Sequence, residues 1–311
     1  MNTYRNCHLC PRNCGIDRNV HRGFCGETAT LRAARASLHL WEEPPLSGKT
    51  GSGTVFFSGC NLGCIFCQNR EIAHENKGMN ISPERLSEIF LELQEQGAAN
   101  INLVTAVHFT PHIILALDRA KTQGLHIPVV YNSSGYESVD TLRCLDGYID
   151  VYLPDYKYRD ASLAKSFSCA ADYPKIAEKA IAEMVSQIRE CKFDENGMMQ
   201  RGVIVRHLVL PKHTDDSMAV LKYLHETYGD RIYISIMNQY TPMQKFEKYP
   251  ELSRKLTTYE YEKVVKFAQK IGIKNGFLQS GEAAKESFIP SFDGKGLFSN
   301  NKSLPFIGNE V

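Results

Sequence analysis

Hydrophobic residues recur along this chain in two alternating rhythms. Short apolar runs of strand length are Thr54 to Ser58, Ile101 to Thr105, Ile127 to Tyr131, Ile149 to Leu153, Val203 to Leu210 and Ile232 to Ile236. Between them, apolar residues return every three or four positions, the period of a helix with one buried face. One such face is Leu86, Ile89, Phe90 and Leu93; a longer one runs from Ile176 through Ala180, Ile181, Met184 and Val185 to Ile188. Met218, Leu221 and Leu224 mark another, and Tyr261, Val264, Val265, Ala268 and Ile271 the last. Pro111 to Gln123 and Val139 to Leu145 complete the predicted helices. Ser82-Pro83 supplies a cap and a first helical residue, and Gly97 and Gly124 stand where helices should stop. Strand–helix alternation of this kind predicts an α/β fold, a parallel sheet with helices outside. Six strands are expected from Thr54 onward, with Gly276-Phe277-Leu278 a candidate seventh. A weaker alternation from Leu31 to Trp41 precedes them, ended by Glu42-Glu43-Pro44-Pro45.

Composition narrows the class. The chain has 311 residues, 43% hydrophobic and 23% charged, an ordinary globular balance. A net charge of +1 gives no reason to expect nucleic acid or an anionic membrane as partner. No apolar stretch approaches the roughly 20 residues that span a bilayer, and Met1 to Cys7 has no apolar signal core. A cytoplasmic location is therefore expected. There the 10 cysteines should be thiols or metal ligands, not disulfides. Ser47-Gly48-Lys49-Thr50 imitates the end of a P-loop, but Glu43 stands where that loop needs a glycine, so nucleotide triphosphate binding is not expected.

The cysteines carry the chemistry. Cys60, Cys64 and Cys67 lie within eight residues, directly after the first strand. A [4Fe–4S] cluster takes one thiolate per iron. Three thiolates leave one iron open to a substrate or cofactor. A zinc knuckle would pair two C-x2-C units, and Cys60 to Cys64 is one residue too long. A second set, Cys7, Cys10, Cys14 and Cys25, supplies four ligands in a turn-rich, basic stretch. Four thiolates close a site, and both zinc and a second iron–sulfur cluster take such a set. Cys144, Cys169 and Cys191 are scattered singly; Cys144, among apolar residues, is expected in the core.

With Phe66 as the aromatic, C-x3-C-x-aromatic-C resembles the cluster motif of the radical S-adenosylmethionine (radical SAM) enzymes. From Cys7 to about Leu278 the chain resembles the pyruvate formate-lyase activating enzymes, in particular their homologues with an added N-terminal cysteine motif. The resemblance implies a partial (β/α)6 barrel of the TIM type, with its site at the C-terminal strand ends. The expected division is a cysteine-rich module over residues 1–45, the barrel over 46–280 and an irregular tail over 281–311. SAM would chelate the open iron and be cleaved reductively to a 5′-deoxyadenosyl radical. The strand-end pattern Asp155-Tyr156-Lys157 matches the activases' SAM contact: Lys157 would meet the SAM carboxylate, and Asp155 would orient it or bind a cation. Asn132 would face the ribose or methionine part. Arg206, a charge on a core strand, needs a partner, either a SAM or substrate carboxylate or Asp155.

One departure stands out. The activases' Gly-Gly-Glu at the second strand end is replaced by Val104 to His108, where Thr105 offers a hydroxyl and no carboxylate is present. His108 could act as acid or base, or only pack or cap. A reduced flavodoxin- or ferredoxin-type protein is the implied electron donor. The implied target is a glycine of a glycyl-radical enzyme; with the strand-two carboxylate missing, an unknown small molecule is the alternative. A non-catalytic metal or iron–sulfur protein is the alternative of another class.

Overall fold

The structure, a computed structural model, describes residues 4–75, 77–279 and 289–298. Strands β1 (Arg32–His39) and β2 (Ser52–Phe57) pair antiparallel, with Ala36 opposite Val55 and His39 opposite Ser52. The short β3 (Met79–Asn80) pairs with the other side of β1. From β2 the sheet continues in parallel through β4 (Ile101–Val104), β5 (Val129–Ser133) and β6 (Val151–Pro154). A two-residue strand, β7 (Lys192–Phe193), pairs antiparallel with the start of β8 (Met199–Leu208). β8 joins β6, and β9 (Tyr233–Met237) and β10 (Gly276–Leu278) follow in parallel. The six expected strands are all present, and the candidate seventh is β10. Among the described residues β10 and β3 do not pair with each other, so the sheet stays open. Yet His39, Phe56, Val104, Asn132, Arg206, Ser235 and Phe277, from β1 to β10, line one cavity. The sheet is therefore curled into a partial barrel.

The helices are α1 (Pro44–Ser47), α2 (Arg70–Ala73), α3 (Pro83–Glu95), α4 (Thr110–Thr122), α5 (Val139–Cys144), α6 (Ala161–Ser168), α7 (Tyr173–Ile188), α8 (Thr214–Tyr228) and α9 (Thr258–Lys270). The face predicted for α3 is the buried one: Leu86, Ile89, Phe90 and Leu93 are at most 2% exposed. Ser82 caps it, accepting from Arg85 N–H at 3.2 Å. Each such side chain stabilises the fold by ~1.5–3 kcal/mol. None of these helices is long and apolar enough to cross a membrane among the described residues.

Three differences from the sequence reading have local causes. β5 starts at Val129, not Ile127, because Pro128 has no N–H to give the ladder. Helix α6 was not predicted. Its eight residues are too few to display a period, and its signal is a cap: Asp160 accepts from Ser162 N–H at 2.6 Å. Cys144 is exposed, not in the core, because Thr141 and Leu142 take the inner face of α5.

The segment after β1 closes the lower end of the barrel. Leu46 on α1 is fully buried with Val130, Val151, Leu153 and Ile204. Asn100 Nδ2 holds the Leu46 carbonyl at 2.7 Å. Of the C-terminal tail, residues 289–298 are described. Gly294 N–H bonds to Ala34 O (2.9 Å), and Lys295 O accepts from Ala36 N–H (2.9 Å), so this part lies along β1. The remainder of the expected tail lies outside the described residues.

Candidate active site

The cysteine loop leaves β2 at its C-terminal end and is held from several directions. Gly59 N–H donates to Ile72 O at 2.8 Å, and Cys60 N–H to Cys25 O at 3.2 Å. Gly59 has φ +81°, and a Cβ there would lie 2.5 Å from Glu27 Cγ and 2.6 Å from Cys25 O. Glycine is needed on both counts. Gly63 N–H and Ile65 N–H reach Ser168 O (3.3 Å) and Phe167 O (2.9 Å), so α6 supports the loop through its C-terminal carbonyls. Asn61, fully buried, donates Nδ2 to Tyr136 O at 2.5 Å.

Arg12 ties the N-terminal segment into the same place. Its Nε donates to Asn61 O at 2.8 Å and its Nη1 to Cys169 O at 2.7 Å. The guanidinium lies 3.8 Å from the Phe24 ring centre and 5.1 Å from that of Tyr136.

Cys60, Cys64 and Cys67 all open on a cavity of about 300 Å3 inside the barrel mouth. Phe66 lines it too, packed edge-on against Tyr240 with ring centres 5.8 Å apart. Cys64 Sγ meets Ser168 Oγ at 2.9 Å, and Tyr158 Oη meets the same hydroxyl at 2.9 Å. Burial, with the other two thiols nearby, pushes the Cys60 thiol well up; burial and Cys64 hold Cys67 up at about 12. The thiols are thus neutral until a metal takes their protons.

The donor set fits a [4Fe–4S] cluster. Among the described residues no three His, Cys, Asp or Glu side chains converge tightly enough to hold a single metal ion. A cubane instead asks for one thiolate per iron, and Leu62 N–H, 3.4 Å from Cys60 Sγ, is aimed at a future thiolate.

The strand ends bring most of the expected contacts to the same cavity. Lys157 and Asp155 form an ion pair at 2.5 Å, both side chains largely buried. Burial works against the Lys157 charge, but Asp155 outweighs it and the pKa goes up. Asn132 and Thr105 line the cavity, and Thr105 N–H donates to Asn132 O at 2.9 Å. Thr105 has φ +57°, a left-handed conformation costly for a β-branched residue. The strain sits at the strand end where the activases' sequence departs from this one.

Arg206 also lines the cavity, but Asp155 is not its side-chain partner. Its Nε and Nη2 donate to Glu43 Oε1 (2.9 Å) and Oε2 (2.8 Å), and Nη2 also meets Glu42. Sequence reasoning misses Glu42 and Glu43, which in the sequence mark only the end of a strand. It also misses Arg12, Tyr158 and Ser168. Their partners lie up to 164 residues away, and no local pattern marks them. His108 does not reach the cavity. It is buried, its Nε2 lies 2.7 Å from Ser58 O, and burial lowers its pKa to about 3. It is a packing residue behind the cysteine loop.

The N-terminal cysteines lie against this loop. Cys7, Cys10 and Cys25 are buried and Cys14 half-buried. Phe24 N–H points at Cys14 Sγ at 3.4 Å. Arg18, fully buried beside them, donates to His108 O (2.6 Å) and Thr28 O (2.5 Å).

The radical SAM superfamily profile matches residues 54–224, more than half of the chain. The chain belongs to the radical SAM superfamily. An uncharacterized protein of Methanocaldococcus jannaschii, MJ0674, is 30% identical over 279 residues, covering 88% of this chain and 77% of its own. Among solved structures, HydG, a maturase of the [FeFe]-hydrogenase, matches 76% of this chain and 53% of its own at 14% identity, with a TM-score of 0.50. SuiB of Streptococcus suis, bound to S-adenosylmethionine, matches 72% and 46% at 12% identity, with a TM-score of 0.45. This chain spans about half the length of these solved structures. Membership in the radical SAM superfamily implies a [4Fe–4S] cluster, SAM and a radical mechanism.

Proposed function

We propose that this protein cleaves SAM reductively at a cluster held by Cys60, Cys64 and Cys67, and that the radical removes hydrogen from a substrate in the barrel cavity. The observation that carries the reading is the opening of these three thiols onto one cavity with Asn132, Asp155 and Lys157. When bound, the cluster supplies the electron that breaks a carbon–sulfur bond of SAM. The chain's own residues bind and aim. Lys157 takes the SAM carboxylate, and Asp155 holds the lysine in place. Asn132 and the Thr105 hydroxyl face the ribose or methionine part, and Phe66 with Tyr240 closes one wall. Arg206, saturated by Glu42 and Glu43, acts below these contacts.

The electron comes from a reduced flavodoxin- or ferredoxin-type protein. The substrate is a small molecule: the cavity has a floor, closed by Leu46, and charged walls. A glycine of a partner enzyme, the activase-type target, is the competing outcome. The N-terminal cysteines hold a second iron–sulfur cluster. The Cys25–Cys60 backbone bond, which joins the two cysteine segments, supports this over a remote zinc staple.

The test is anaerobic reconstitution with iron and sulfide, then reduction with SAM present. 5′-Deoxyadenosine is expected; its absence from protein with an intact cluster ends the reading. Cys64→Ala should lose the product and one cluster while keeping roughly four irons at the N-terminal set. Retained zinc instead would make that set a staple.

A further inference from the structure

The floor of the cavity opposes two carboxylates to one guanidinium. Glu42 and Glu43 follow β1 at the end where His39 pairs with Ser52, the opposite end of β2 from the cysteine loop. Both carboxylate side chains are 6% exposed and the arginine 13%. Glu43 is fully matched: Arg206 donates to both its oxygens, Ser235 adds a hydroxyl, and its pKa lies below the usual range despite burial. Glu42 shares the same Nη2, and among the described residues its side chain otherwise meets amides, Asn102 Nδ2 at 2.9 Å and Asn132 Nδ2 at 3.5 Å. Amides donate hydrogen bonds but bring no charge. His39 brings none at neutral pH, since burial lowers its pKa. The neighbouring Asp155–Lys157 pair is balanced. Among the described residues, one negative charge is left over on the floor.

The cofactors do not remove it. An oxidised cubane on three thiolates carries one net negative charge, and SAM, whose amine must be neutral to chelate iron, brings no net positive charge to offset it. A second observation is independent of charge. Asn102, fully buried and touching Glu42, has an Oδ1 without a hydrogen-bond partner. A buried acceptor left unpaired costs ~1–3 kcal/mol. Surplus negative charge on Glu42, which lines the cavity, with an unpaired amide acceptor packed beside it, asks for a cation with N–H donors.

We infer that the substrate carries a protonated amine, which docks on Glu42 beside Asn102 while its reacting carbon extends toward the cysteine loop. Anionic substrates are repelled by the same floor. This rests on the proposed function, and its failure is read by a different assay.

The test uses the reconstituted protein with SAM bound and three probes of one shape, n-butylammonium, n-butanol and butanoate. Ligand-observed NMR gives the affinities. Butylammonium should bind roughly tenfold tighter than butanoate, with butanol between, and Glu42→Gln should erase most of that preference. Asn102→Leu should weaken the ammonium alone. Equal binding of the three, a preference for butanoate, or an unchanged preference in folded Glu42→Gln overturns the inference. If Glu42→Gln instead lowers only SAM affinity, the amine on Glu42 is that of SAM, and the inference also falls. The wild-type series decides the matter even where the variants do not fold. Failure of the proposed function shows separately, as absent 5′-deoxyadenosine.

Discussion

Lys157 is the side chain on which SAM affinity should turn. It is half-buried, paired with Asp155, and close to the Cys64 thiol. Lys157→Met removes a charge-assisted contact worth about 1.5–3 kcal/mol, so SAM should bind about 10–100-fold more weakly by equilibrium dialysis. Unchanged binding would remove Lys157 from the site. His207 makes a prediction about pH. It is buried on β8, its Nδ1–H donates to Tyr156 O at 2.8 Å, and burial, partly opposed by that bond, lowers its pKa to about 4. The unfolded chain takes up the proton near the ordinary value, roughly 6.5. The stability contributed by the neutral ring is therefore full above that value and lost as pH falls toward 4. His207→Gln, whose amide can still donate, should melt with a flatter pH dependence between those values; His108, shifted the same way, supplies part of the slope that remains. The cysteines and the Asp155–Lys157 pattern were legible because each is a short-range spacing. Glu42 and Glu43 were not, because what defines them is Arg206, more than 160 residues on.

At the scale of elements, α3 was the plainest to read, with a cap, a proline and a four-residue apolar face in register. Phe90→Ala should cost about 3–5 kcal/mol in denaturant unfolding, since Phe90 is fully buried between helix and sheet. A cost under about 1 kcal/mol would mean that the site collapses around the loss. Helix α6 was the hardest, although it touches the cysteine loop most directly. Arg12 joins these two pieces. Arg12→Ala removes donors from the carbonyls of Asn61 and Cys169, and should broaden the electron paramagnetic resonance signal of the reduced cluster and speed cluster loss in air. Arg12→Lys should restore part of the retention but not the signal, because one ammonium cannot span both carbonyls. An unaltered signal in Arg12→Ala would reduce the residue to a surface contact.

For the whole molecule, strand–helix alternation decided the architecture because consecutive strands lie side by side from β1 to β10, apart from the short β3 and β7. What the alternation did not reveal was how the ends of the chain are used. The N-terminal segment reaches the cysteine loop and α5, where Thr141 Oγ1 donates to Leu9 O at 2.8 Å, and residues 289–298 lie on β1. Strand order in sequence has a consequence for synthesis. Each new strand finds its neighbour already made, so the sheet can grow as the chain leaves the ribosome, N-terminal part first. The cysteine loop emerges early, but its support from Phe167, Ser168 and Cys169 comes about a hundred residues later. During that interval the three thiols stand on a loop that still lacks its contacts with α6. Translation thereby sets an order of events, thiols first, clamp second, with the floor completed only when Arg206 arrives.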